Sequence, residues 1–479
     1  MADIAASRAQ ARQLLTILGK DRPRLLAIDQ YIQGVHDDPY MPPTATAEYK
    51  LLAQRAVSNW MPLLIGTPVQ ALYVDGFRPG RAKEITTPLN ELPEWQHWQR
   101  SQLDGRQSAI YRGALGFGHS FVVTEKRNGK TGSRGLSALR TSALFEDPAN
   151  DIAPLVALTV TTWPKGDKRG TAFMWDAENL FEVSFLSLDD QSDLDKVKVE
   201  LKGAHGFPEN PVTRFAPQVD LDGRTIGVVE PLIPLQNRIN QTIFDLLVAQ
   251  TYTSHQVRWA TGIAPPRKFD PITNEPLNDD QGNPIYDEIQ ASAARLLMAE
   301  DPDAKFGAIP GGPLNGFIES VDMSVRHFAA ISQTPPHYLL GQIANLSAEA
   351  LASAETSLAR KIAEFQIVFG ESWERVFRLV GMAEGNDRSG SDMAGEVLWR
   401  DMEQRSLAQA ADALGKMRES LGIPARGLWA RIPNVTQGEL TSWEELSEQE
   451  DPFTAMANAV SRSSSSSDSG YVNRNGLGA

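Results

Sequence analysis

Two weakly charged helical patterns bracket a proline-rich stretch in the middle of the chain, and this order constrains the fold more than any other feature. The patterns cover 234–254 and 315–331, and each corresponds to about 20 residues, or ~30 Å, of helix. Both have a wide apolar face and few charges, among them Arg238 and Arg326. Such a pair fits either a helical hairpin that carries an insertion in a monomer or the wall of a channel in a ring of copies. The spacing of apolar residues does not separate these two alternatives.

The stretch between the two patterns, 255–313, predicts a small unit rich in loops. Prolines, glycines, asparagines and aspartates recur along it, and one short helix is expected over 291–299. It holds nine acidic and five basic residues. Asp279, Asp280, Asp287 and Glu288 form its most acidic part, which would suit a basic partner surface.

The remaining chain predicts an α+β fold that is mostly helical. We expect an N-terminal helix that is broken near 19–23, a helix over 47–64, and a helix over 95–114. Between 117 and 215, β-branched and aromatic runs predict a small antiparallel β region with a hairpin at 127–130. A long helix is expected over 347–380 and another over 403–421, and the Ser-rich, acidic end of the chain, 441–479, is expected to be largely disordered.

Charge and composition exclude several classes of protein. With 60 acidic and 46 basic residues, the net charge of −14 argues against a protein that grips nucleic acid through clustered cations. The absence of cysteine excludes disulfides, thiolate zinc sites and cysteine nucleophiles. No apolar run approaches the ~18 residues of a membrane span, so we expect no membrane partner.

No group of residues in the sequence predicts catalysis. The seven histidines include no pair at helical metal spacing, and we predict no enzyme activity, no cofactor and no metal site. The acids of 270–288 are the one alternative, because they could bind a divalent cation for a hydrolase. Their spacing matches no known ligand loop, and solvated turn acids are the simpler interpretation.

Two segments resemble parts of a known family. The first is Val229-Glu230-Pro231-Leu232-Ile233-Pro234-Leu235-Gln236-Asn237-Arg238-Ile239-Asn240, and the second runs from Ser332-Gln333-Thr334-Pro335-Pro336 through Leu340-Gly341 to Asn345-Leu346-Ser347. A weaker match surrounds 60–69. In this order they resemble the portal proteins of tailed bacteriophages, in the large branch common in phages of actinobacteria, over about 10–440.

The resemblance implies how the chain is divided. The parts would be a wing (1–227), a first stem helix (228–254), a clip (255–313), a second stem helix (314–332), a tunnel loop (333–346), a long helix that returns to the wing (347–400), a crown (401–440) and the tail (441–479). Arg238 and Arg326 would lie on the stem. The tunnel-loop residues Leu340, Gly341, Gln342, Ile343 and Asn345 would face the channel, and Asp279, Asp280, Asp287 and Glu288 would face a partner of the clip.

The resemblance also implies a function. Portal proteins form a ring, usually of twelve copies, at one capsid vertex, and double-stranded DNA passes through without sequence specificity during packaging and ejection. The implied partners are further copies of the chain, the terminase large subunit, the head–tail adaptor, and the major capsid and scaffolding proteins. The expected location is the virion, with assembly in the host cytoplasm. Another head or connector protein is the main alternative, and it would lack this order of parts.

Overall fold

The computed structural model describes residues 4–43, 47–80, 89–127, 129–188, 190–254, 258–261, 267–286, 305–308, 313–341, 348–400, 407–429, 431–432 and 435–450. The helices in these ranges are α1 (Ile4–Gln33), α2 (Ala47–Ala56), α3 (Met61–Ala71), α4 (Pro93–Arg100), α5 (Leu103–Phe117), α6 (Gln191–Leu194), α7 (Ile233–Ser254), α8 (Asn315–Ser332), α9 (Pro336–Leu340), α10 (Ala348–Ala383), α11 (Asp387–Gly390), α12 (Leu407–Leu421), α13 (Ala425–Trp429) and α14 (Gln437–Glu450).

Small antiparallel sheets accompany the helices. The strands are β1 (Val74–Arg78), β2 (Ser120–Arg127), β3 (Lys130–Leu136), β4 (Thr141–Leu144), β5 (Val156–Thr162), β6 (Gly170–Trp175), β7 (Asn179–Phe185), β8 (Lys198–Ala204), β9 (Val212–Phe215), β10 (Arg258–Thr261), β11 (Lys305–Ala308) and β12 (Glu396–Trp399). Strands β4 to β8 form a five-stranded meander, β3-β2-β9 a second sheet, and β1-β12 and β10-β11 two ribbons. The predicted α+β class and the hairpin, in which Arg127 pairs with Lys130, are confirmed.

The described residues fall into two compact units. The large unit draws on 1–36, 59–236 and 325–479, and the small unit on 37–58 and 237–324. The small unit has its own apolar core, in which Phe244 of α7 packs with Ala53 and Ala56 of α2. Residues 37–58 therefore group with α7, the β10-β11 ribbon and the first part of α8.

Helix α1 is continuous, so the expected break near 19–23 is wrong. Pro23 lies inside the helix, where a proline costs about 3 kcal/mol. Leu14, Leu18 and Leu25 all lie on the buried side, because 18 and 25 are seven positions apart and so two turns apart. Burial of this one stripe, in part against the five-stranded sheet, outweighs the local cost of the proline.

The expected helix over 47–64 is also wrong, because the structure has two helices there. Helix α2 ends at Ala56, and α3 begins at Met61 with Pro62 in its first turn. A proline in the first turn lacks only an N–H that the helix would leave unpaired anyway. Pro62 therefore lies at the start of a second helix, within the range where we expected one helix.

A buried aromatic cluster joins α10 to α4, α5 and β9. The rings of Trp98 and Trp373 lie 4.8 Å apart, and Phe215 lies 4.7 Å from Trp373. Trp373 Nε1 donates a hydrogen bond to the hydroxyl of Tyr111 at 2.7 Å, and burial raises the pKa of that hydroxyl. The middle of α10 is therefore a central element of the large unit.

A buried arginine fixes α10 to the edge of the second sheet. Arg375 Nη1 donates to the carbonyl of Val212 at 2.9 Å and to Thr213 Oγ1 at 2.6 Å, and Nη2 donates to the carbonyl of Asn210 at 2.8 Å. Glu209, which is half exposed, lies 3.4 Å from the same guanidinium. These contacts satisfy backbone carbonyls at the edge of the sheet, where β9 pairs with β2.

Helix α14 extends into the segment that we expected to be disordered from 441 onward. A capping box starts it: Glu439 N donates to Thr436 Oγ1 at 3.2 Å, and Thr436 N donates to Glu439 Oε2 at 2.9 Å. The spacing Thr-x-x-Glu was visible in the sequence as a helix start. The later residues of that segment, 451–479, lie outside the described residues.

Candidate functional site

The helix expected over 234–254 is confirmed as helix α7, and it is anchored at its start. A short 3-10 turn at Glu230–Leu232 precedes it, and Arg24 Nη1 of α1 lies 2.7 Å from Glu230 Oε2. Immediately before this turn, Val228 N donates to the carbonyl of Leu115 at 2.8 Å. The entry to the helix is thus held by both α1 and the end of α5.

Two polar side chains of α7, Gln236 and Asn240, have structural roles that we did not predict. Both are buried, with exposures of 0% and 1%. Gln236 Oε1 accepts from Trp60 N at 3.4 Å, and Asn240 Oδ1 accepts from Ser58 N at 3.3 Å. They bind the two residues at the gap between α2 and α3. Their spacing of four, which places both on one face of the helix, was the available signal.

Helix α8, the second expected stem helix, exposes large apolar side chains. Val325, Phe328 and Ala329 are buried, whereas Ile318 and Met323 are each 52% exposed and Ile331 is 63% exposed. Arg326 on α8 and Arg238 on α7 are exposed too. A single copy of the chain leaves these apolar groups in water, and exposed apolar surface marks an interaction site.

Hydrogen bonds hold the segment that follows α8. Gln333 has a positive φ of 54°, and Thr334 N donates to the carbonyl of Ala329 at 3.0 Å. Lys361 of α10 donates to the carbonyl of Ser332 at 2.8 Å, and burial lowers the pKa of this lysine. The end of α8 is therefore bound to α10.

The short helix α9 occupies much of the expected tunnel loop. Leu339 is buried and Leu340 is half-buried, so the apolar character of this segment is explained in part by ordinary packing. Tyr338 OH lies 3.5 Å from Glu355 Oε1, and burial is the main reason that its pKa is raised. Gly341 ends the helix with a φ of 65°, a value that glycine adopts readily, and it is exposed. Gln342, Ile343 and Asn345 lie outside the described residues.

The expected clip contains a two-stranded ribbon and tight turns. Arg258–Thr261 pair with Lys305–Ala308. Asp279 Oδ1 accepts hydrogen bonds from Gln281 N at 2.9 Å and Asn283 N at 2.8 Å, and the bonds from Asn283 are the main cause of its lowered pKa. Asp270 holds its own turn in the same way, at 2.7 Å from Ile272 N. Asp280 is exposed on the turn, and Asp287 and Glu288 lie outside the described residues.

The described part of the chain shows neither a metal-binding cluster nor a membrane-spanning helix. No three His, Asp or Glu side chains there are grouped so that they could hold a metal ion. None of the helices found there combines the length and apolar character needed to cross a membrane.

Helices α7 and α8 bracket a small unit that contains the β10-β11 ribbon. Residues 12–452 match the family described as phage portal protein, SPP1 Gp6-like, and the chain therefore belongs to that family. It is 26% identical over 364 residues to the portal protein of Mycobacterium phage D29, covering 72% of this chain and 69% of the relative. It is 25% identical over 394 residues to the portal protein of Mycobacterium phage L5, covering 74% and 71% respectively. The resemblance to portal proteins of actinobacterial phages is confirmed.

Proposed function

We propose that copies of this chain form the closed portal ring of a phage capsid, usually with twelve copies in the capsid, through which DNA is packaged and ejected. The observation that carries the proposal is the family match, which extends across α7, the β-ribbon unit and α8. The exposed apolar side chains of α8 support it, because a neighbouring copy would cover them. In this arrangement α7 and α8 are the stem, and the ribbon unit is the clip.

Ring assembly is expected to depend on the exposed face of α8. Replacing Ile318 and Met323 together by lysine should reduce the assembled fraction at least tenfold, because each buried apolar side chain contributes about 1.5–3 kcal/mol. Light scattering and negative-stain images would measure the assembly. The matched control is Ile272→Lys, which alters a side chain that is 92% exposed on a clip turn and should leave assembly unchanged. A wild-type chain that stays monomeric at every salt concentration would contradict the ring.

We propose that the clip binds the terminase large subunit and later the head–tail adaptor. The structure of the turns distinguishes acids that are free to bind a partner from acids that hold the turn itself. Asp279 is engaged in its own turn, whereas Asp280 presents an exposed carboxylate. Asp280→Lys should therefore weaken binding of the purified terminase subunit, with a loss of about tenfold if a close charge pair becomes repulsive. Asp167→Lys, on an exposed turn of the large unit, is the control. Equal binding by all three proteins would remove this surface from the proposal.

We propose that residues 341–346, after α9, narrow the channel. Uncharged side chains there would touch DNA without the phosphate contacts that hold it in place. Replacing Gln342 and Ile343 by arginine should slow or block DNA packaging in a packaging assay and leave the ring intact in images. The conservative pair Gln342→Asn and Ile343→Val should package normally. Normal packaging by the arginine pair would show that the segment is structural only.

Of the two alternatives, the hydrolase gains no support. It needs the acids of 270–288 to be available, but Asp270 and Asp279 are used to hold their own turns. A different head or connector protein is disfavoured by the family match. Binding to the major capsid and scaffolding proteins remains part of the proposal, as does assembly in the host cytoplasm.

A further inference from the structure

A cavity on the large unit has an unusual charge for so acidic a chain. Its volume is about 600 Å³, and it lies between α1, α3, α5 and β3. Ile32, Pro62 and Ile65 contribute apolar surface to its wall, and three arginines, Arg106, Arg112 and Arg134, also line it. We call this cavity the arginine pocket. Its size is in the range of sites that take a compact group of side chains.

The charges of the arginine pocket are only partly balanced within the chain. Arg134 pairs with Glu125 at 3.0 Å, and Arg106 donates to Gln102 Oε1 at 3.0 Å. Among the described residues, no carboxylate lies within ion-pair distance of Arg106 or Arg112. Asp29 also lines the pocket, where it accepts from Gln33 at 2.6 Å and burial raises its pKa. The pocket thus fits an occupant with an apolar centre and acidic neighbours.

Helix α10 carries such a group on its outer face. Ile367 is 69% exposed, and Glu364 and Glu371 are exposed three positions before it and four positions after it. Residues at these spacings share one face of a helix. We call these three residues the Ile367 ridge. Arg360 and Arg378 lie on the same face, further along the helix in each direction.

The arginine pocket and the Ile367 ridge lie on opposite sides of the α5–α10 pair. Tyr111 of α5 stacks on Phe369 of α10, with ring centroids 5.2 Å apart, and this contact marks the side where the two helices meet. The pocket is lined by Ala109 and Gly113, each two positions from Tyr111, and Ile367 is two positions from Phe369. Two positions correspond to about 200° around a helix, so both surfaces face away from the contact.

We propose that the Ile367 ridge of one copy inserts into the arginine pocket of the next copy around the ring, with Glu364 and Glu371 facing Arg106 and Arg112. The inference rests on the proposed ring. Two different, complementary surfaces on opposite sides of one unit are what a head-to-tail contact requires, and such contacts form a ring when the rotation between neighbouring copies closes. The apolar centre supplies the contact area, and the charges select the register.

The chain contains no cysteine, so a pair of introduced cysteines reports on this contact alone. The full chain carrying Ala109→Cys and Ile367→Cys, treated with a mild oxidant, should give a ladder of covalent oligomers on a non-reducing gel. Each single variant, and the pair Ala109→Cys with Met393→Cys, should give no ladder. Met393 is 80% exposed elsewhere on the large unit. Rings in images without a ladder from the first pair would overturn the inference and leave the ring intact.

A charge exchange tests the register. Arg106→Glu with Arg112→Glu should raise about tenfold the concentration at which half of the protein is assembled, and Glu364→Arg with Glu371→Arg should do the same. Combining all four substitutions should restore assembly to within about twofold of the wild type. Failure of the combination to restore assembly would overturn the proposed charge pairing, and maleimide labelling of Ala109→Cys at the free-chain rate in assembled rings would show that no neighbouring copy covers the pocket. A wild-type chain that forms no ring would overturn both this inference and the proposed function.

Discussion

Arg375→Ala is expected to lower the free energy of unfolding of the large unit by about 3–5 kcal/mol, because it removes the buried guanidinium that binds the carbonyls of Asn210 and Val212. These carbonyls are at the edge of the second sheet and are buried under α10. Without the guanidinium these carbonyls lose that hydrogen-bond partner while they remain buried. Hydrogen exchange of the β9 amides would measure the effect within the unit concerned, which avoids the assumption that the two units unfold together.

The matched control is Arg378→Ala, three positions further along α10. Arg378 is half-buried, and within the described residues it makes no ion pair or hydrogen bond comparable to those of Arg375. Its replacement should change stability by no more than about 0.5 kcal/mol. If β9 exchanged equally fast in both variants, α10 would be held to the sheet by its aromatic residues alone.

Gly227→Ala is expected to destabilise the large unit by about 3 kcal/mol, because its added methyl group would meet the backbone on three sides. A Cβ there would lie 2.7 Å from the Gly116 carbonyl oxygen, 2.7 Å from Gly118 N and 2.8 Å from the Leu115 carbonyl oxygen. Backbone atoms cannot rotate away as a flexible side chain can. The end of α5 and the entry to α7 would separate, and thermal unfolding together with proteolysis near 225–232 would report the separation.

Substitution of a second glycine is the control, and the opposite change in stability is expected for it. Gly105 lies inside α5, and a Cβ there would meet nothing within 4 Å. Gly105→Ala should therefore stabilise the protein by about 0.5–1 kcal/mol through the unfolded chain and helix propensity. Equal stability of Gly227→Ala and the wild type would show that the backbone at this position is free to shift.

Features with a local cause were predictable from the sequence. The spacing of apolar residues predicted α7, α8 and the long helix α10 to within a few residues, because one buried face repeats every three or four positions. The hairpin at Arg127 followed from turn residues between two strands. The expected helix break near Pro23 and the single helix expected across Pro62 were both wrong. Burial of the apolar stripe keeps α1 continuous, and Pro62 is tolerated because it lies in the first turn of α3.

Features with a distant cause were not predictable. Val74–Arg78 pairs with Glu396–Trp399, and no local pattern states which strand is the partner. The roles of Gln236 and Asn240 depend on backbone atoms of Trp60 and Ser58, far away in sequence. At the candidate site, charge alone grouped Asp279 with Asp280, whereas the geometry of the turn assigns them different roles. The arginine pocket likewise joins residues from α1, α3, α5 and β3.

The pairing of β1 with β12 also bears on how the chain is made. Arg78 and Glu396 form an ion pair in this ribbon and are 318 positions apart. A ribosome that adds about 5–20 residues per second exposes β1 for roughly 15–60 s before its partner strand emerges. During that interval the nascent chain has an unpaired strand edge, and α10, which contributes to the buried aromatic cluster, arrives only shortly before β12. Chains released early from translation would therefore lack a complete large unit. Only chains whose synthesis has passed β12 could then join neighbouring copies.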